Sequence, residues 1–235
     1  MIKGLYNSGI SMYTRMKNME IIANNLANLN TTGFKREVPF SEYLSREDGV
    51  QVKVVTDFSN GNLTETGNPF DLAITGNGFF MVQGDNGKEI TKSGKFNISE
   101  DGFLVDERGQ KVLSSNGAIN IMDSIIEKDK PITITKSGII KQGDTIIDKL
   151  SITNVENPNL LVRTEGQNFK YPDEEYQPAN ETDYEILQGY LEESNANPII
   201  ELENMIRISK DFEAAQKAVN SIDTVLGQSK EIGRV

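Results

Sequence analysis

The sequence of 235 residues contains no cysteine, no histidine and no tryptophan. Without cysteine the chain forms no disulfide, so its stability does not depend on the redox compartment. Zinc sites normally need cysteine or histidine ligands, and nucleophile–base pairs usually need histidine. The absences argue against an enzyme, and we predict no catalytic residue, no metal ligand and no cofactor site.

Long hydrophobic runs are also missing. Hydrophobic residues make up 37% of the chain, and the longest apolar run extends only from Phe79 to Val82. A membrane-spanning helix needs about 20 mostly apolar residues. Polar residues such as Asn7, Ser11 and Arg15 interrupt the first twenty positions, where a cleaved signal would need an apolar stretch. We expect neither membrane insertion nor a cleaved signal peptide.

The formal net charge of −11 is distributed unevenly. Residues 1–36 carry a net charge of +4, whereas residues 37–198 carry −14. The acidic middle argues against nucleic acid as a partner. The basic N-terminal segment fits either a surface that matches an acidic protein neighbour or a solvated helix face.

Residues 2 to about 29 show the spacing of an amphipathic helix. Apolar or small residues recur at alternating steps of four and three, as in a coiled-coil seam. Thr31, Thr32 and Gly33 are expected to end this helix. The large side chains of the seam are Leu5, Met12, Met16, Met19 and Leu26.

Residues 198 to about 230 predict a second long helix. Asn197 is a suitable N-cap, and Pro198 suits the first helical position. No proline or glycine interrupts the pattern before Gly227. The apolar seam comprises Leu202, Met205, Phe212, Val219, Ile222 and Leu226.

Between the helices, residues 71–165 predict an antiparallel β-domain. Turn-forming Asn-Gly or Asp-Gly pairs occur at 77–78, 86–87, 101–102 and 116–117, and no helical pattern separates the strands. We expect the core to contain Leu72, Ile74, Phe79, Phe80 and Val82. Candidate strands of the β-domain are Phe79–Gln83, Glu89–Lys92, Phe103–Val105, Ile132–Thr135 and Thr145–Thr153, and Val50–Val55 is a further candidate strand in the preceding segment 37–70.

The fold class is therefore mixed α and β. An antiparallel all-β central domain is flanked by N- and C-terminal long helices, which we expect to pair in a coiled-coil-like layer. The predicted divisions are an N-terminal assembly helix (1–36), a linker with short strands (37–70), the β-domain (71–185) and a C-terminal assembly segment and helix (186–235). Residues 165–185 within the β-domain are acidic and rich in turn residues, and predict a surface loop or linker.

The terminal helices are predicted to need neighbours for their order. Burying a Leu or Met gains about 1.5–3 kcal/mol, while ordering about 25 residues costs about 1–2 kcal/mol each in backbone entropy. One apolar seam does not offset that cost, and isolated helices are marginal in water. The asparagines near the end of the first helix allow two interpretations, namely polar contacts that fix register or a fraying helix end. They are Asn24, Asn25, Asn28 and Asn30.

Three segments resemble the bacterial flagellar axial proteins, which are the rod, hook and hook-associated subunits. Residues 23–35 read ANNLANLNTTGFK, similar to the N-terminal signature of that group. Residues 67–80 read GNPFDLAITGNGFF and resemble the start of the β-domain in the rod and hook branch. Residues 189–198 read GYLEESNANP and resemble its C-terminal signature. The three segments occur in the order found in the family and bracket nearly the whole chain.

The resemblance to flagellar basal-body rod proteins implies a structural subunit of the axial tube in the flagellar basal body. It implies helical assembly with other copies and with neighbouring rod or hook subunits, and export through the flagellar export apparatus without a cleaved signal. The implied assembly interface consists of the seam residues of both helices together with the four asparagines. The alternative is a surface adhesin or binding module multimerised by its terminal helices. The size of the chain favours a rod subunit over a hook protein, and the choice between proximal and distal rod stays open.

Overall fold

The structure is a computed structural model that describes residues 2–43, 50–85, 87–122, 130–164, 166–171 and 176–232. Helix α1 extends over Ile2–Ala27 and helix α2 over Pro198–Ile232. Both helices lie where the apolar spacing predicts them. The N-cap prediction is confirmed, because the Asn197 carboxamide oxygen accepts hydrogen bonds from the backbone N–H groups of Ile199 and Ile200 at 3.0 and 3.3 Å.

Short strands fill the described sequence between the helices. They are β1 Glu37–Tyr43, β2 Val50–Thr56, β3 Leu63–Glu65, β4 Leu72–Gly76, β5 Phe79–Gly84, β6 Gly87–Thr91, β7 Asn97–Ile98, β8 Leu104–Val105, β9 Lys111–Ser114, β10 Gly117–Ala118, β11 Ile132–Ile134, β12 Ile139–Gln142, β13 Thr145–Lys149, β14 Ile152–Asn154, β15 Val162–Arg163, β16 Phe169–Lys170, β17 Gln177–Pro178, β18 Tyr184–Gln188 and β19 Tyr190–Glu192. A 3₁₀ helix, Pro158–Leu160, precedes β15.

The pairings of these strands are antiparallel, as predicted. The largest sheet has ten strands, with β15-β16-β6-β5-β9-β8-β7 in spatial order, β10 beside β9, and β14 between β5 and β17. Smaller sheets are β1-β2, β11-β12-β13, β18-β4 and β19-β3. In the last two, a strand near the start of the β region pairs with a strand near its end, so the region is closed by its own two ends.

The chain divides into two compact units. The helical unit comprises Met1–Leu29, Arg36–Asp57 and Ala196–Val235, and the β unit comprises Asn30–Lys35 and Phe58–Asn195. The six residues that end the N-terminal signature therefore belong to the β unit. The four-part division made from the sequence remains a prediction.

The β unit contains the main hydrophobic core. The five residues expected there are each at most 5% exposed, so this prediction is confirmed. The largest cluster adds residues from later in the chain, among them Phe96, Leu104, Ile140 and Ile186. A smaller cluster surrounds Phe169. The interpretation of residues 165–185 as a surface loop or linker is therefore wrong in part, because β16 lies there with Phe169 fully buried, and Tyr171 and Tyr184 are buried as well. Alternating burial along β12 and β18 shows how strands with one inward face supply this core.

Two turn predictions are confirmed and one is wrong. Residues 101–102 lie in the connection between the paired strands β7 and β8, and residue 116 lies in the hairpin of β9 and β10. Residues 77–78, by contrast, join β4 to β5, which belong to different sheets. Asn77 and Gly78 thus connect two sheets instead of forming a hairpin turn. Glycine suits position 78 because a β-carbon there would lie 2.7 Å from the Ile152 side chain. The predicted turn at 86–87 includes residue 86, which lies outside the described residues.

The predicted strand over residues 145–153 is interrupted. β13 ends at Lys149 and β14 begins at Ile152, and the two strands belong to different sheets. Leu150 forms an isolated bridge with Ser114 at the crossing. Continuous β propensity along a segment does not reveal that the strand changes its partner.

In the helical unit, α1 contacts α2 and also contacts the β1–β2 hairpin. Among the described residues, the buried apolar side chains of the helical unit are Ile21, Ile22 and Ala196. A polar contact fixes the hairpin to α1, because the Asn25 carboxamide donates to the Glu37 carbonyl at 2.8 Å and accepts from the Glu37 N–H at 2.9 Å. None of the described helices contains a stretch long and apolar enough to cross a membrane.

Candidate functional site

A network of hydrogen bonds and a buried ion pair in the β unit joins the N-terminal and C-terminal signatures. Residues 30–35 and 189–195 contact each other there, and we call this pair of segments the signature junction. At its centre the Lys35 ammonium lies 2.7 Å from a carboxylate oxygen of Glu192, and each side chain is 1% exposed. The same ammonium donates to the Ser59 carbonyl at 2.7 Å. The Glu192 oxygen also accepts from the Gly61 N–H at 2.8 Å.

Gly33 allows the junction to close. Its N–H donates to the Glu192 carbonyl at 2.7 Å, and its φ of 67° lies in the left-handed region that favours glycine. A β-carbon at this position would lie 2.5 Å from the Ser93 nitrogen and 2.6 Å from the Lys92 carbonyl carbon. The sequence interpretation of Gly33 as the helix stop is therefore incomplete, since α1 already ends at Ala27 and Gly33 packs against β-unit backbone.

Phe34 and the backbone of Lys35 are held by Arg163, a residue that no sequence pattern singles out. The Arg163 guanidinium lies 4.6 Å from the centre of the Phe34 ring and 4.9 Å from that of Phe169. One of its nitrogens donates to the Lys35 carbonyl at 2.6 Å. A cation stacked on an aromatic ring and bonded to a carbonyl positions both groups. Arg163 lies in a two-residue strand, which is too short to show a periodicity.

Lys92 brings a second cation to the junction. The side chain is buried, and its ammonium donates to the Gly76 carbonyl at 3.3 Å and lies 5.0 Å from the centre of the Phe79 ring. Burial lowers the pKa of Lys92 to about 8; the negative charge of Glu192 opposes this shift, and the positive charge of Lys35 adds to it. The second oxygen of Glu192 accepts no hydrogen bond from the described residues. The cluster therefore holds two lysines around one carboxylate.

A second buried ion pair lies in the helical unit. Arg36 bonds through its Nε to a carboxylate oxygen of Glu201, whose side chain is fully buried in the first turns of α2. Arg15 of α1 and Asp211 of α2 form a longer contact of 3.4 Å, with both side chains partly exposed. Several basic side chains of the N-terminal segment thus form ion pairs with carboxylates of the same chain.

The described seam residues are either half-buried or exposed. Met12, Met19 and Leu26 of α1 are half-buried, as are Met205, Phe212, Val219 and Ile222 of α2. Met16 and Leu202 are 42% and 52% exposed. The side chains of Leu5 and Leu226 lie outside the described residues.

The four asparagines have different environments. Asn25 is fully buried and bonds to Glu37 as described above, whereas Asn24 and Asn30 are exposed and Asn28 is half-buried. The Asn28 carboxamide donates to the Asn24 carbonyl at 2.9 Å, next to the end of α1. The run therefore combines a buried contact to a strand with a polar helix end.

Large apolar side chains that the seam does not include are exposed on α1 and α2. Ile199 is 76% exposed, Ile200 49% and Ile206 56%, all within the first turns of α2. On α1, Tyr6 and Tyr13 are 63% and 49% exposed. Exposed apolar groups this close together on a helix form a candidate interaction surface. The sequence signal was present, since the apolar stripe of α2 is wider than one seam.

The site offers no arrangement suited to catalysis among the described residues. The buried carboxylates Glu192 and Glu201 are bonded to Lys35 and Arg36. No group of three potential ligand side chains in the described ranges is placed to hold a metal ion. Both buried ion pairs instead join segments that are far apart in the sequence.

Three family models match the chain in succession. Residues 5–35 match the model described as Flagella basal body rod protein, residues 73–142 match Flagellar hook protein FlgE/F/G D1 domain, and residues 187–232 match Flagellar basal body rod FlgEFG protein C-terminal. These matches, together with helices at both ends of a β unit, define the class of flagellar rod and hook proteins.

Full-length relatives narrow the class. The chain is 33% identical to the flagellar basal-body rod protein FlgF of Caulobacter vibrioides over 94% of each sequence. It is 30% identical to the flagellar basal-body rod protein FlgG of Buchnera aphidicola subsp. Schizaphis graminum over 99% of this chain and 100% of the relative. The chain belongs to the flagellar basal-body rod protein family. Both segments of the signature junction, residues 30–35 and 189–195, lie within segments that the family models match.

Proposed function

We propose that this chain is a structural subunit of the bacterial flagellar basal-body rod. It assembles helically with copies of itself and with neighbouring rod or hook subunits, and it has no enzymatic activity. Family membership supports this function over a multimerised adhesin. The observation that carries the mode of assembly is the apolar surface left exposed on the terminal helices, above all at Ile199, Leu202 and Ile206.

The energetic argument starts from α2. Removing apolar surface from water gains about 25 cal/mol per Å². Leu202 and Ile206 are spaced four residues apart and are 52% and 56% exposed, so both lie on one face and both have surface left to bury. A neighbouring subunit that covered this face would gain that free energy and would order the helix.

The assembly interface is proposed to include the seam residues and the four asparagines. The half-buried seam supports packing between α1 and α2 in a coiled-coil-like layer, and exposed Met16, Asn24 and Asn30 support contacts to neighbouring copies. The complete set is Leu5, Met12, Met16, Met19, Asn24, Asn25, Leu26, Asn28, Asn30, Leu202, Met205, Phe212, Val219, Ile222 and Leu226. Delivery to the basal body is proposed to proceed through the flagellar export apparatus, without a cleaved signal.

The test replaces the chromosomal gene of the host bacterium by variants and measures the chain in purified basal bodies by immunoblot. Leu202→Glu together with Ile206→Glu places charge on the exposed face of α2. We expect the double variant to be at least tenfold depleted from basal bodies, while the purified monomer keeps its helix content and its urea unfolding midpoint.

The matched control is Lys210→Glu, which changes the net charge by the same amount at an exposed position of the same helix. It should be incorporated normally. Incorporation of the double variant at the wild-type level would refute assembly through α2. Absence of the wild-type chain from basal bodies would refute the rod function itself.

A further inference from the structure

The signature junction joins segments that are far apart in sequence. Lys35 and Glu192 are separated by 157 residues. Besides their ion pair, the Gly33 N–H donates to the Glu192 carbonyl, and the Asn195 N–H donates to the Phe34 carbonyl at 3.4 Å. Ser59 connects both segments, because its carbonyl accepts from the Lys35 ammonium at 2.7 Å and from the Asn195 carboxamide at 3.0 Å. Each segment thus supplies bonding partners for the other.

Removing either side chain of the Lys35–Glu192 ion pair would leave the other as an unpaired buried charge. A buried charge without its partner is strongly destabilising, because its desolvation is no longer compensated. With Glu192 removed, Lys35 and Lys92 would remain as two buried cations. With Lys35 removed, Glu192 would keep its bond from the Gly61 N–H but would lose the cation 2.7 Å away. Neither segment is therefore expected to keep its conformation when the other is released.

We propose that Lys35 and Glu192 form a latch that orders the two segments of the signature junction as one unit. The segment that follows α1 and the segment that precedes α2 then become fixed together and are released together. Since residue 192 is synthesised long after residue 35, the N-terminal signature stays unlatched until the C-terminal signature is present. The inference does not depend on the proposed function, because each bond belongs to the β unit itself.

The competing possibility is that each segment is anchored separately. Residues 190–192 also pair with β3, and the Glu193 N–H donates to the Asn62 carbonyl at 2.8 Å. Gly33 has its own packing against Lys92 and Ser93. If these anchors suffice, removing the Lys35 side chain loosens residues 30–35 and leaves β19 unchanged. The two possibilities therefore predict different effects of a substitution of Lys35 on the hydrogen exchange of the Glu193 amide.

The experiment measures amide hydrogen exchange by NMR in the full chain carrying Lys35→Met. The informative amide is that of Glu193, because its bond to Asn62 involves neither latch side chain. We expect its exchange to accelerate at least tenfold, together with that of Gly33 and Asn195. The amides of Val82 and Ile90, in the pairing of β5 with β6, should change less than twofold.

A matched control is Lys95→Met, which breaks a 2.6 Å ion pair with Glu107 whose side chains are 45% and 43% exposed. It should leave all these amides unchanged. The double variant Lys35→Met/Glu192→Met removes both latch charges and should leave Glu193 exchange at least tenfold faster than in the wild type, because no side-chain ion pair then joins the two segments. It also provides the measurement if the single variant does not fold.

Acceleration confined to residues 30–35, with Glu193 unchanged, would overturn the latch. Equal acceleration of Val82, Ile90 and Glu193 would also overturn it, since the junction would then open only with the whole β unit. Recovery of wild-type Glu193 protection in the double variant would overturn the latch as well, since an unpaired Glu192 charge, and not the missing bond, would then be the cause in the single variant.

Discussion

The two compact units bury their apolar side chains to very different extents. In the β unit, residues such as Leu72, Phe80 and Phe96 are completely buried, and the core draws on strands along the whole unit. In the described part of the helical unit, large apolar residues are more often exposed than buried, with Ile21 and Ile22 as the main exceptions. The β unit is equipped to fold from its own contacts, whereas the helical unit retains surface for others to cover.

The strongest test of this difference removes a core side chain from the β unit. Phe80 is fully buried and packs edge-to-face on Phe96 with ring centres 5.1 Å apart. Phe80→Ala should lower the free energy of unfolding by about 3–5 kcal/mol, through lost burial and the cavity that remains. Urea unfolding followed by circular dichroism measures the change. The exposed Leu160→Ala serves as reference, and equal effects of the two variants would contradict a core in this unit.

The next test concerns the close approach at Gly33. Gly33→Ala should lower the free energy of unfolding by about 2–3 kcal/mol, because it adds a steric overlap to an unfavourable φ. Gly67→Ala is the matched control, since Gly67 has a φ of 71° but nothing within 4 Å of an added β-carbon. It should cost only about 1 kcal/mol. A larger loss for Gly67→Ala in urea unfolding would show that the packing against Lys92 and Ser93 is not tight.

The pH dependence of stability reports on the buried cation Lys92. Its pKa is lowered to about 8 in the folded β unit and has its ordinary value of 10.5 in the unfolded chain. Between these values the unfolded chain binds more protons, so stability rises with pH. From pH 8 to pH 9.5 the gain should be about 1–2 kcal/mol. Urea unfolding across this range should show the rise in the wild type and lose it in Lys92→Met; a fall in wild-type stability would contradict the assignment.

The smallest effect is expected on the exposed face of α2. Ile199→Ala removes a side chain that is 76% exposed, so the free energy of unfolding of the monomer should change by less than about 0.5 kcal/mol. Urea unfolding of dilute protein measures this value. A loss approaching that of Phe80→Ala would mean that Ile199 is already covered in the monomer, and the contrast between the units would fail.

The sequence predicted the helices well because their signals are local. Apolar spacing of three and four, an asparagine N-cap and a following proline all act within a few residues. The hairpin turns at 101–102 and near 116 are local in the same way. Strand β1 was missed because it contains Pro39, which usually argues against a strand. In the structure β1 pairs only with β2 among the described strands, so the missing N–H is tolerated at an edge.

The signature junction could not be derived from local patterns. The pairing of Lys35 with Glu192 depends on the path of the whole β unit, which brings β19 beside β3. Arg163 and Lys92 likewise acquire their roles only when remote residues approach. Family resemblance identified the two segments as important, but it did not indicate that they contact each other.

Lys35 and Arg36 are consecutive, yet each bonds to a different glutamate of the C-terminal segment, in two different compact units. This arrangement fixes the number of residues between Glu192 and Glu201. An inserted or deleted residue there would draw one carboxylate away from its cation. The hairpin at Ser115 and Asn116, which is exposed, has no such constraint. Among natural variants of this chain, length changes should therefore accumulate in the hairpin and be absent between the two glutamates.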